Sequence, residues 1–150
     1  DVLSPANFNS PGQIVISGSV DGVRKGMEIA KSQGAKVREL VVSGAFHSPL
    51  MEGAREGLRA GLDRTAIQNA RIPVYANVTG APVTRAEEIR DLLYRQLTSP
   101  VRWEQTLQQM ARDGADTFYE LGPGKVLQNF VKRSVVGAAV AGFDRVADIH

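Results

Sequence analysis

The 150-residue chain reads as a mixed α/β protein, and three features of its sequence say so. Short β-branched runs ended by glycine alternate with segments whose apolar residues recur at helical spacing. Proline and glycine fall where those segments should begin and end. Nothing repeats and no tract is of low complexity.

The elements follow in order. "QIVISG", residues 13–18, is a compact strand closed by Gly18. Val20, Val23, Met27 and Ala30 then mark a helix that Gly34 should stop. "KVRELVV", residues 36–42, alternates like a second strand, giving a strand–helix–strand unit, right-handed if both strands share one sheet. Ser48 as N-cap and Pro49 at the first helical position open the next helix, with Met51, Ala54, Leu58 and Leu62 as its stripe, running to about residue 66. "IPVYANV", residues 72–78, is a short buried strand, and "TRAE", residues 84–87, has the form of a capping box before a helix bearing Ile89, Leu92, Leu93 and Gln96. That helix should end before Pro100, which starts another with Trp103, Leu107 and Met110 inward and Gly114 at its close. "DTFYELGPGKVLQNFVKR" is strand, glycine turn and helix, and "GAAVAGF", residues 137–143, a last strand. The one boundary between lobes falls at residues 43–47.

Composition narrows the function. With 43% hydrophobic residues the chain can bury a core. The 18 basic and 16 acidic residues give a net charge of +2 without a basic stripe, which argues against a nucleic-acid partner. There is no cysteine for a disulfide or thiolate site, and two histidines fall short of a typical zinc set, so no metal or other cofactor is implied. No apolar run approaches the roughly 20 residues that cross a bilayer, and no signal peptide is visible. The expectation is a soluble cytoplasmic protein with no membrane association.

Four places could carry chemistry. His47 lies between small residues (Ser43, Gly44, Ala45) and a helix start. It is either a packed or capping histidine or a general base for a hydroxyl nucleophile, the task a neutral imidazole in a strand-to-helix loop suits. "ELGPGKVL", residues 120–127, is either a tight turn or an anion cradle, although it lacks both G-x-G-x-x-G and the lysine and serine of a P-loop. Gly53, Gly57 and Gly61 recur every four residues and suggest close packing of that helix on another backbone. The asparagines of "NFNSPGQ", Asn7 and Asn9, either line a cleft or build turns.

Taken together, "NFNSPGQIVISG", "GAFHSPLM", "RQLTSPVRW" and "ELGPGKVL", in this order and at these separations, resemble the second half of the malonyl-coenzyme A:acyl-carrier-protein transacylases, a family that includes the acyltransferase domains of polyketide and fatty-acid synthases. The resemblance covers nearly the whole chain, residues 7–142. It implies that His47 is the base, activating a serine in a G-H-S-x-G elbow, and that a backbone carbonyl matching Gln96 orients it. It implies that Asn7 and Asn9 line the cleft entrance, and that the "GPG" segment is a conformational turn and not a phosphate cradle. "AFHS" resembles the malonyl-type motif, in which Phe46 takes the place of the serine of methylmalonyl-type members. The substrates implied are malonyl-coenzyme A and the phosphopantetheine thiol of acyl carrier protein, in fatty-acid biosynthesis.

One departure matters. No G-x-S-x-G occurs in these residues, and the family's oxyanion-hole glutamine and malonyl-binding arginine also lie upstream of the matching region. The expectation is a C-terminal portion, inactive alone, whose partner is the missing N-terminal half. Residues 1–42 would be the second half of a ferredoxin-like small lobe, and residues 43–150 the C-terminal part of an α/β-hydrolase-like large lobe. Strand edges and apolar faces should then lie uncovered. The alternatives are an acyltransferase domain of a multidomain synthase and a non-catalytic fragment that binds carrier protein.

Overall fold

The computed structural model describes residues 1–148. Strands β1 (Leu3–Ser10) and β2 (Gln13–Gly18) form an antiparallel hairpin. Its two-residue turn is Pro11-Gly12, with Gly12 at φ 74°, as a type II turn requires of its third residue. Helix α1 (Val20–Ser32) follows, capped by the Ser19 hydroxyl accepting from the Gly22 N–H. A 3₁₀ segment (Pro49–Ala54) leads into α2 (Arg55–Arg64). The hairpin β3 (Val74–Ala76) and β4 (Ala81–Val83) precedes α3 (Ala86–Gln96) and α4 (Trp103–Arg112). Last come β5 (Thr117–Leu121), α5 (Val126–Ser134) and β6 (Ala139–Phe143), the two strands pairing in parallel across the helix, and a short 3₁₀ turn at Val146–Asp148.

The buried residues gather in two places. Val78, Val83 and Leu92 form a cluster with Ala76 and Ile89, tying the β3–β4 hairpin to α3. Leu107, Thr106, Val131 and Ala6 are buried where β1 lies against α4 and α5. Strand β1 is also held by the chain crossing from α3 to α4: Phe8 N–H donates to the Val101 carbonyl at 2.9 Å, and Val101 N–H to the Ala6 carbonyl at 2.8 Å. The glycines of α1 explain the contact of that helix with the chain start. A Cβ on Gly22 would stand 2.3 Å from the Val2 carbonyl oxygen, and one on Gly18, just before the helix, 2.0 Å. No other residue fits there.

Several sequence expectations require correction. Residues 36–42 form no strand, because no described strand lies alongside to complete a ladder; Val41 and Val42 stand in solvent. Of the "NFNSPGQ" segment, residues 7–10 belong to strand β1, with irregular register at Pro5/Asn7 and Phe8/Ser10, and only Pro11-Gly12 form a turn. The box at residues 84–87 does not form. Arg85 is the N-cap without a side-chain bond, and the Ala86 N–H is satisfied by Asn69 Oδ1 at 2.8 Å. Pro100 does not open α4, which starts three residues later; the intervening Val101 is bridged to β1. The strand expected over residues 72–78 shrinks to Val74–Ala76, and Val74 is exposed. Gly53, Gly57 and Gly61 do not pack closely: a Cβ at any of them meets nothing within 4 Å.

The chain exposes 10,244 Å² of surface at 16.2 kDa. A compact monomer of that mass exposes about 7,500 Å², so roughly 2,700 Å² is in excess. Tyr119, Leu121, Val126 and Val136 are among the apolar residues left outward. Among the described residues no helix is long and apolar enough to cross a membrane.

Candidate active site

The loop before the 3₁₀ segment holds His47 in an unusual conformation. It is the one non-glycine residue with positive φ, at 59°, among those described. A left-handed backbone costs an L-residue about 1–2 kcal/mol, so the surroundings must hold it. Ser48 is completely buried; its Oγ donates to the Ala45 carbonyl at 2.6 Å and accepts from the Leu50 N–H at 3.3 Å. Pro49 occupies the first helical turn, where its missing N–H is no loss. Ser48 and Pro49 thus take the N-terminal positions the sequence assigned them, at the head of a 3₁₀ segment.

The His47 ring reaches across to the end of α3. Its Nδ1 stands 3.2 Å from the Gln96 carbonyl oxygen. The Gln96 amide nitrogen is also near, at 3.5 Å, but has a better acceptor in the Ser99 carbonyl at 2.8 Å. A carbonyl only accepts, so the shorter contact assigns the proton to Nδ1 and leaves Nε2 with its lone pair. In that tautomer Nε2 can take a proton from a nucleophile. Gln96 Oε1 is buried without a hydrogen-bond partner among the described residues.

Phe46 is half exposed, its ring lying over Gly44, where a Cβ would come within 3.3 Å of it. Asn7 and Asn9 lie on β1. Asn7 faces Val15 on one side and the Val101 bridge on the other, while Asn9 falls in the register irregularity after Phe8. Irregularities of this kind re-aim side chains. No hydrogen bond joins either asparagine to His47 or Gln96 among the described residues; the connection runs through the backbone, from β1 to Val101 and back to the Gln96–Ser99 turn.

The glycine turn between β5 and α5 is occupied by the protein itself. Gly122 and Gly124 take φ of 133° and 89°, and the Glu120 carboxylate folds back to accept from the Leu127 N–H at 3.0 Å and the Gln128 N–H at 3.2 Å. These are the amides a bound anion would use. Burial pushes the Glu120 carboxyl upward, but the bonds from Leu127 and Gln128 outweigh it and its pKa is lowered. Sequence reading missed this cap because the carboxylate comes from a strand seven residues before the first amide it binds.

Comparison with known proteins agrees with this architecture. The acyl transferase domain family matches residues 1–145. Malonyl CoA-acyl carrier protein transacylase of Bacillus subtilis is 47% identical over 134 residues, covering 89% of this chain and 42% of that protein. The protein of the same name from Haemophilus influenzae is 44% identical, covering all of this chain and 48% of that one. The crystal structure of an acyl carrier protein S-malonyltransferase from Vibrio cholerae superposes with a TM-score of 0.94 at 40% identity, over 99% of this chain and 49% of that one. The chain thus spans about half the length of the curated relatives it matches. With its fold and sequence both matched end to end, it belongs to the malonyl-CoA:acyl-carrier-protein transacylase family of acyl transferase domains.

Proposed function

We propose that this chain carries the general base of a malonyl transfer from coenzyme A to the phosphopantetheine thiol of acyl carrier protein, in fatty-acid biosynthesis. The observation behind it is the 3.2 Å contact between His47 Nδ1 and the Gln96 carbonyl, which leaves Nε2 free to act. The nucleophile is a serine outside this chain. His47 Nε2 takes the serine proton as its oxygen attacks the thioester carbonyl, then returns that proton to the departing coenzyme A sulfur. In the second half, Nε2 takes the proton of the carrier thiol as the sulfur attacks the malonyl-serine, and the proton passes to the serine oxygen as that bond breaks. Gln96 acts through its backbone carbonyl, holding the ring and stabilising imidazolium. Phe46 borders the acyl group, while Asn7 and Asn9 line the approach. Residues 1–42 belong to the small lobe and residues 43–150 to the large one. The excess surface is where the nucleophile-bearing half packs.

The test is to supply that half as a second polypeptide and follow malonyl transfer to carrier protein. His47→Ala should lower transfer by about 10²–10⁴-fold, the usual worth of a general base; turnover close to that of the unsubstituted protein would remove His47 from the mechanism. Phe46→Ser should relax the preference for malonyl over methylmalonyl by about 10–200-fold, the range for one methyl group in a pocket. An unchanged ratio in a folded Phe46→Ser variant would take Phe46 out of the site.

One observation favours a second reading. In that reading the chain binds carrier protein without catalysis, and a malonyl-transacylase solved in complex with a type II PKS acyl-carrier protein matches it at 37% identity and a TM-score of 0.92. Carrier protein bound by the chain, with no transfer after the other half is added, would favour it.

A further inference from the structure

We infer that Ser48 is a positioning residue for His47, holding the base in its left-handed conformation and fixing its tautomer. The inference rests on the reading of His47 as a base. Its grounds are four. Ser48 is fully buried, and its hydroxyl makes two hydrogen bonds to the backbone. The contacts fall on either side of His47: Oγ donates to the Ala45 carbonyl, two residues before the histidine, and accepts from the Leu50 N–H, three residues after it. The 2.6 Å bond to Ala45 closes a loop whose interior holds only Phe46 and His47, the two side chains the site needs. His47 itself takes φ 59°, a conformation its own preferences oppose.

The consequence for chemistry runs through one angle. A histidine free to return to negative φ swings its ring away from the end of α3, and the Nδ1 contact to the Gln96 carbonyl is lost. Without that acceptor neither nitrogen has a reason to keep the proton, and Nε2 is protonated in a substantial fraction of neutral rings. Those molecules cannot act as base through Nε2. The same two bonds account for why Ser48 is not itself the nucleophile: its proton is committed to Ala45 and its oxygen is out of reach of any substrate.

The test reads the ring directly, in the chain as it stands. Imidazole ¹⁵N chemical shifts report which nitrogen bears the proton, and His150 is the only other histidine. In the unsubstituted chain, neutral His47 should be in the Nδ1–H form. Ser48→Ala should give a mixture of tautomers, and Ser48→Thr, which keeps the hydroxyl, should restore the single form. Ser48→Cys, close in volume but a weak donor, should behave like Ser48→Ala and serves if the alanine variant does not fold. In the reassembled enzyme Ser48→Ala should lower the transfer rate about tenfold without moving KM, and Ser48→Thr should recover it. A folded Ser48→Ala or Ser48→Cys chain whose His47 remains wholly Nδ1–H overturns the inference, as does an unsubstituted chain that is not in that form. If the tautomer shifts as expected while the reassembled protein transfers nothing, the latch stands and the transferase reading fails.

Discussion

Two turns in this chain do the same geometric work with different residues. At residues 121–126 the path from strand to helix needs positive φ twice, and the sequence supplies Gly122 and Gly124. At residues 45–49 the path into a helical segment again needs positive φ, and the sequence supplies His47. Glycine takes this conformation without penalty, whereas any L-residue pays for it. A histidine here, where glycine would be more comfortable, has to be held by its surroundings. The surroundings differ to match. The glycine turn is closed by a carboxylate that occupies its helix amides, and the histidine turn is braced by a buried hydroxyl and leaves the ring reaching outward to another helix.

The comparison can be broken most sharply by exchanging the residue types. His47→Gly should be as inactive as His47→Ala, but more stable than it by about 1 kcal/mol, because only the glycine relaxes at φ 59°. Gly124→Ala should do the reverse, losing about 1 kcal/mol or more at φ 89° with no loss of activity per folded molecule. A Cβ there meets nothing within 4 Å, so the loss would be backbone strain alone. Urea midpoints of the three variants decide it; equal stability for glycine and alanine at position 47 would mean the loop carries no strain.

A smaller effect sharpens the role of the carboxylate. Glu120→Gln removes the charge at the start of α5 and should cost a few tenths of a kcal/mol to about 1 kcal/mol, since solvent still screens a group that is only partly buried. The pH dependence has a definite sign. The folded-state pKa is lowered, so the stabilisation is present above the unfolded carboxyl value and is lost as pH falls through the folded one. The gap in melting temperature between the two proteins should close on acidification. A gap that is constant from neutral to acid pH would show that the carboxylate does not act through its charge.

What the sequence revealed depends on where the partners of each residue lie. Strand β2 was legible to its ends because "QIVISG" carries its own β-branched signal and glycine stop. Strand β1 was not, since Asn7, Asn9 and Ser10 are poor strand formers and are held by β2 and Val101, not by propensity. Residues 36–42 show the opposite case, a strand pattern with no ladder to join. Thr84 and Glu87 have the right spacing for a box, yet Asn69, seventeen residues before Ala86, supplies the bond. At the site, the juxtaposition of His47 and Gln96 followed only from the resemblance, because nothing local in either segment announces a contact 49 residues apart. The latch at Ser48 was half visible: its N-cap place could be read, but the bond back to Ala45 could not.

Residues 36–42, which belong to no described strand or helix, also bear on how the chain would come apart. Their backbone is outside every described ladder and helix and partly in solvent, where proteolytic nicking concentrates. Scission there would put β1, β2 and α1 on one fragment and the His47 loop on the other. The fragments would still share the hydrogen bonds of Phe8 and Val101, and β1 would still lie against α4 and α5. A nicked chain would thus run as two bands under denaturing conditions and as a single species under native ones, its covalent continuity at this point being dispensable to its assembly.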